Sequence, residues 1–66
     1  MLSARNQFKG IVKSVKLGGI MAEVVVTAGN IEIVSAITRT SAEQMGLKTG
    51  EEVTAIIKST EVLIQK

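Results

Sequence analysis

Neither a cysteine nor a histidine occurs in the 66 residues, and that double absence constrains the fold more than any residue present. A domain this short buries only about 60% of the surface its unfolded chain exposes, so it ordinarily needs a disulfide, a structural metal or self-association to supplement its core. Without thiols there is no disulfide, and a structural zinc site loses its usual Cys and His ligands. Self-association is the expectation that remains. The apolar composition agrees: 45% of residues are hydrophobic, yet Phe8 is the only aromatic. Val, Ile, Leu, Ala and Met therefore supply the surface that sheets and subunit contacts bury.

The same inventory argues against an enzyme. There is no His or Cys for general acid–base or nucleophilic work, and no Tyr or Trp. Neither G-x-x-x-x-G-K-[ST] nor G-x-G-x-x-G occurs, and Gly18-Gly19 reads as a tight turn. No apolar run approaches the roughly 20 residues that cross a bilayer, and Met1-Leu2-Ser3-Ala4-Arg5 has no apolar stretch of the signal-peptide kind, so a cytoplasmic location is the default expectation. The net charge is +2, unevenly placed. Residues 1–30 hold Arg5, Lys9, Lys13 and Lys16 against Glu23, whereas residues 31–66 hold four bases against five acids. Solvated strand positions account for such an asymmetry, and an anionic partner is the sharper alternative.

Hydrophobic alternation divides the chain into short strands. Asn6 to Val15 reads as a long strand bent or bulged at Gly10, followed by a turn over Lys16 to Gly19. Ile20 to Ala28 and Ile31 to Thr38 read as a hairpin around Gly29-Asn30. Thr40 and Glu43 have capping-box spacing and Gly46 is placed to end a helix in a left-handed residue, so one short helix is expected over Thr40 to Leu47. Lys48 to Gly50 is a turn, Glu51 to Lys58 a fourth strand, Ser59-Thr60 a bend and Glu61 to Gln65 a fifth strand. This β-β-β-α-β-β order predicts an all-β fold: a five-stranded OB-type Greek-key barrel with one helix between strands 3 and 4, an SH3-like barrel being the main competitor. With no linker, repeat or low-complexity tract, residues 1–66 are expected to form one domain.

Three polar segments hold the groups a tetrahedral dianion requires, namely hydroxyls, cationic side chains and free backbone amides. An extended backbone sends Ser3 and Arg5 to one side. Thr38-Arg39-Thr40-Ser41 leads into the helix start with its unpaired N–H groups. Lys58-Ser59-Thr60 sets an ammonium beside two hydroxyls at a bend. Each has a plain structural alternative: a frayed terminus, a helix cap and a polar turn. The rival partner is single-stranded nucleic acid, which OB folds bind by stacking bases on aromatic side chains over a basic groove. Phe8 alone cannot form that platform, which leaves Lys9, Lys13 and Lys16 to make weak, salt-sensitive phosphate contacts.

The same segments carry a family resemblance. Ser3-Ala4-Arg5-Asn6-Gln7, Ala36-Ile37-Thr38 followed by Ser41-Ala42-Glu43, Met45-Gly46-Leu47, and Ile57-Lys58-Ser59-Thr60-Glu61-Val62 resemble the signature of molbindins, the Mop-type molybdate-binding proteins with a TOBE-like domain, nearly end to end. The resemblance implies an OB-type fold, non-catalytic binding of molybdate or tungstate, and a hexamer built as a trimer of dimers with anions at subunit interfaces. It implies that Ser3, the main chain at Ala4, Arg5, Lys58 and Ser59 approach the anion from one subunit, and Thr38 with Ser41 from a neighbour. No cofactor is implied, and the molybdenum is held as its oxyanion with no direct protein–metal bond. Storage, buffering or delivery of the anion is the expected role. Sulfate, also a dianion, is then excluded by cavity size, and a pocket poor in carboxylates is expected because phosphate often carries a proton.

Overall fold

Alternating apolar segments become paired strands where the chain can reverse between them, and Gly29 provides such a reversal at φ 62°, a left-handed backbone free of Cβ strain in glycine. In the computed structural model, which describes residues 3–66, the elements are β1 (Asn6–Leu17), β2 (Met21–Ala28), β3 (Ile31–Thr38), the helix α1 (Arg39–Met45) and β4 (Glu52–Ile57). A single 3-10 turn at Ser59–Glu61 follows β4. Met1 and Leu2, part of the N-terminal stretch read for a leader, lie outside the described residues. No helix among the described residues is long and apolar enough to cross a membrane.

β2 and β3 pair from Ala28↔Ile31 to Met21↔Thr38, and β1 pairs with β2 from Ile11↔Thr27 to Leu17↔Ala22. The N-terminal half of β1 instead pairs with β4, from Asn6↔Ile57 to Ile11↔Glu52. The order β3-β2-β1-β4 is that of a Greek key, in which the fourth strand returns by a long connection to lie beside the first. α1 forms part of that connection.

β1 runs two residues further than its alternation predicts, to Leu17, and its register shifts between Val12 and Ser14 rather than at Gly10. Gly10 serves a different purpose. A Cβ there would lie 2.4 Å from the Thr27 carbonyl oxygen and 2.8 Å from Val26 Cγ1, so glycine is required by the close approach of β2. The N-cap is also displaced from Thr40 to Thr38, whose Oγ1 accepts the Ser41 N–H, and Arg39 N donates to the Ile20 carbonyl at 2.7 Å. Glu43 accordingly meets Arg39 one turn earlier instead of reaching back to a Thr40 cap. Gly46 ends the helix in a left-handed conformation (φ 62°), as its position predicts.

The expected fifth strand does not form within the chain. After the 3-10 turn the backbone is extended at Val62, but it pairs with no strand, and Leu63 and Ile64 are 91% and 88% exposed. Among the described residues the sheet therefore has four strands and remains open instead of closing into the expected five-stranded barrel, because nothing pairs with the outer edges of β3 and β4. Packing reflects this. Val12, Val24 and Val26 form the buried cluster, with Ala22 and Ala42 also buried. By contrast, the inward residues of β3 (Ile33, Ser35, Ile37) and β4 (Val53, Ala55, Ile57) are only half-buried.

Candidate functional site

The β1–β4 register brings together the two ends of the chain. Asn6 lies opposite Ile57 as the last pair of that register, and Arg5 and Lys58 are the residues that follow next on the two strands. Gln7 steadies the approach to β1 by donating from Nε2 to the Ala4 carbonyl at 2.7 Å. Lys58 keeps an extended backbone (φ −66°, ψ 135°) and its carbonyl accepts the Glu61 N–H, which turns Ser59 and Thr60 out of the sheet. Ser3, Arg5, Lys58 and Ser59 are all exposed. The ion pairs found among the described residues are Lys13–Glu32 and Arg39–Glu43, so among those residues Arg5 and Lys58 pair with no carboxylate. Glu61, in the same turn, is the carboxylate of this cluster.

Thr38 and Ser41 form a second cluster elsewhere. Thr38 lies opposite Met21, and Ala22 opposite Leu17, which places Thr38 level with the C-terminal end of β1. Arg5 precedes the N-terminal end of that same 12-residue strand. The two hydroxyls touch: Thr38 Oγ1 donates to Ser41 Oγ at 2.8 Å and accepts from Ser41 N at 3.1 Å. Arg39 N and Ser41 N are both engaged within the chain, so this segment presents hydroxyl groups more than the free helix-start amides its sequence suggested. Arg39 is the residue sequence reasoning passed over. Its guanidinium donates to the Gly18 carbonyl at 3.0 Å and to Glu43 at 3.4 Å, tying α1 and its cap to the β1–β2 turn. An arginine four residues before a glutamate was the available signal.

Arg5 and Lys58 thus flank the Asn6↔Ile57 pair at the N-terminal end of β1, whereas Thr38 and Ser41 touch each other level with its C-terminal end. The basic positions Lys9, Lys13 and Lys16 belong to neither group. Cation chemistry has little to work with, since no three acidic side chains converge among the described residues.

The TOBE domain matches residues 2–64. Molybdenum-pterin-binding protein 1 of Clostridium pasteurianum is 53% identical over 64 residues, which covers 96% of this chain and 94% of that protein. A molybdate-binding protein from Sporomusa ovata superposes with a TM-score of 0.95 at 36% identity, covering 100% of this chain and 98% of that one. MopII from Clostridium pasteurianum superposes with a TM-score of 0.93 at 46% identity, and the match covers the whole of both chains. These relatives favour the oxyanion over single-stranded nucleic acid.

Proposed function

The chain belongs to the TOBE domain family as a molbindin of the Mop type, and on that premise we propose that it binds molybdate or tungstate reversibly, as the intact oxyanion and without catalysis. Residues 1–66 act as one anion-binding module. Arg5 and Lys58 balance the dianion's charge, Ser3 and Ser59 supply hydroxyls, and the Ala4 main chain adds a backbone donor. Thr38 and Ser41 of a neighbouring subunit complete the shell. Charge-assisted hydrogen bonds of this kind are roughly twice as strong as neutral ones, which makes the two cations the main source of affinity.

The observation that carries this reading is the separation of the two donor clusters along β1. The cationic cluster is set by the Asn6↔Ile57 register and the hydroxyl cluster by Met21↔Thr38. One chain cannot bring both to the same anion, so the reading requires assembly, and a hexamer arranged as a trimer of dimers satisfies it. A thin core supports the same requirement. The cytoplasm is the proposed location, with storage, buffering or delivery of the anion as the role.

Isothermal titration with molybdate, tungstate, sulfate and phosphate tests the function. Heats that saturate with the first two anions and stay flat with the others are expected, because sulfate is smaller and phosphate carries a proton near neutral pH. Flat heats with molybdate and tungstate at micromolar protein would overturn the proposal.

A further inference from the structure

The start of α1 runs against its own local signal. A helix opening at Thr40 would have Glu43 as its third residue, the full capping box in which each side chain satisfies the other residue's backbone N–H. The chain instead opens α1 at Thr38, where the third helical residue is Ser41 and no box is available. It also sets Arg39 in a first turn that holds no acidic residue, where the helix dipole disfavours a cation. Something outside the helix therefore holds this frame.

Arg39 is the residue that reaches outside. Its main-chain N–H donates to the Ile20 carbonyl at 2.7 Å and its guanidinium to the Gly18 carbonyl at 3.0 Å, so one residue grips both ends of the Gly18-Gly19-Ile20 turn. Two adjacent glycines leave that turn conformationally free, and the guanidinium steadies the carbonyl that the main-chain bond needs. A third arm reaches Glu43 at 3.4 Å and engages the carboxylate that a box on Thr40 requires. That ion pair is exposed and contributes little alone. Together the three arms favour the Thr38 frame and oppose the Thr40 frame.

We infer that Arg39 is the positioning residue for the hydroxyl half of the anion shell, an inference that rests on the proposed molybdate function. It holds α1 in the Thr38 frame and so keeps the Thr38 and Ser41 hydroxyls together. In the Thr40 frame the Ser41 N–H loses its bond to Thr38 Oγ1, and the 2.8 Å contact between the two hydroxyls goes with it. Arg39 acts on the anion through these two side chains and not by contact.

Arg39→Met keeps the aliphatic stem and removes both side-chain arms. Molybdate affinity should fall about 10-fold, the loss expected for one displaced hydrogen bond to a charged ligand. In the anion-free protein the Ser41 amide should lose its protection from hydrogen exchange. Adding Thr40→Ala removes the rival cap, and the double variant should recover both affinity and protection. Arg39→Lys retains the charge without the planar fork, and should bind as weakly as Arg39→Met. Full affinity in Arg39→Lys beside weak binding in Arg39→Met would assign Arg39 to charge attraction and overturn the inference. Weak binding that Thr40→Ala leaves unrescued would overturn it too, as would an Arg39→Met protein with full affinity and a protected Ser41 amide. Should Arg39→Met fail to fold, two variants of Glu43 decide. Both remove the ion pair, but only glutamine can close a box on Thr40, so Glu43→Gln should weaken binding and Glu43→Ala should not. Equal affinities would contradict the inference. An unaltered protein that bound no molybdate would sink the proposed function, and Ser41 exchange in the Arg39 variants would still judge the frame.

Discussion

The side of the molecule built from β2, β3 and α1 and the side that carries β4 are finished in different ways. At the first, the contacts close within the chain: Gly29 reverses it, Thr38 caps α1, Gly46 ends it, and Val24 and Val26 pack with Val12 into a buried cluster. At the second, β4 leads into a turn from which Val62, Leu63 and Ile64 emerge exposed beside a groove with half-buried walls. The first side is self-sufficient, and the second leaves a sheet edge and an apolar tail uncovered among the described residues. Each side also holds one part of the proposed anion shell, the hydroxyls of Thr38 and Ser41 where β3 meets α1 and the cations Arg5 and Lys58 where β1 and β4 end their pairing. The contrast teaches that the proposed anion shell and the proposed assembly belong together, since the donors of the shell lie too far apart along β1 to meet within one chain.

The sharpest way to break this contrast is Ile64→Asp. Burying an aliphatic side chain stabilises by roughly 1.5–3 kcal/mol, so an assembly of the proposed kind that covers Val62, Leu63 and Ile64 would gain several kcal/mol from them. A carboxylate in that tail should then shift sizing elution to the 7.0 kDa chain. A tail that only hangs in solvent predicts instead a change within about 0.5 kcal/mol and unaltered elution. Gly10→Ala probes the closed side. Its new Cβ meets backbone at Thr27, and overpacking of this kind costs about 1–3 kcal/mol, visible as a lower urea midpoint. An unchanged midpoint would mean that β2 can retreat and that the closed side is looser than described.

Two substitutions separate binding from folding. Arg5→Ala removes a charged donor with no partner in its own chain, and a lost hydrogen bond to a charged group is worth about 1.5–3 kcal/mol. Molybdate affinity should fall roughly 10- to 100-fold by titration calorimetry, with elution unchanged. Thr38→Ala has the smallest stability effect, about 1 kcal/mol from the lost cap, and it also removes a proposed anion donor. Thr38→Ser retains the hydroxyl and is expected to restore both properties, whereas rescue of stability alone would confine Thr38 to capping.

The closed side was largely legible in the sequence because its determinants are local. Gly29-Asn30 between two β-branched runs announces a hairpin, and Gly46 announces the helix end. Cap placement was less legible, since Thr38, Thr40 and Ser41 are all competent within four residues. Only the tertiary bond from Arg39 N to the Ile20 carbonyl selects Thr38. Gly10 in a strand fits a bulge or a close approach equally well until β2 is in place. The expected fifth strand exposes a deeper limit. The pattern Glu61-Val62-Leu63-Ile64-Gln65 has the composition of a strand, but a strand also needs a paired edge, and among the described residues this segment pairs with none. For the candidate site, the two polar ends of the chain could be read as donor segments, but only the β1–β4 register joins them, and only the length of β1 separates them from Thr38.

The central claim is that the anion shell is assembled from two copies, and mixing of complementary variants tests it most directly. Arg5→Ala and Thr38→Ala proteins are each expected to bind molybdate weakly at every shared site. Unfolded, combined in equal amounts and refolded, they form oligomers in which random pairing gives about one site in four an intact Arg5 from one copy and an intact Thr38 from its neighbour. Titration calorimetry should recover that fraction of sites at full affinity. A mixture that binds no better than its two components would place both residues in a site within one chain and contradict the account.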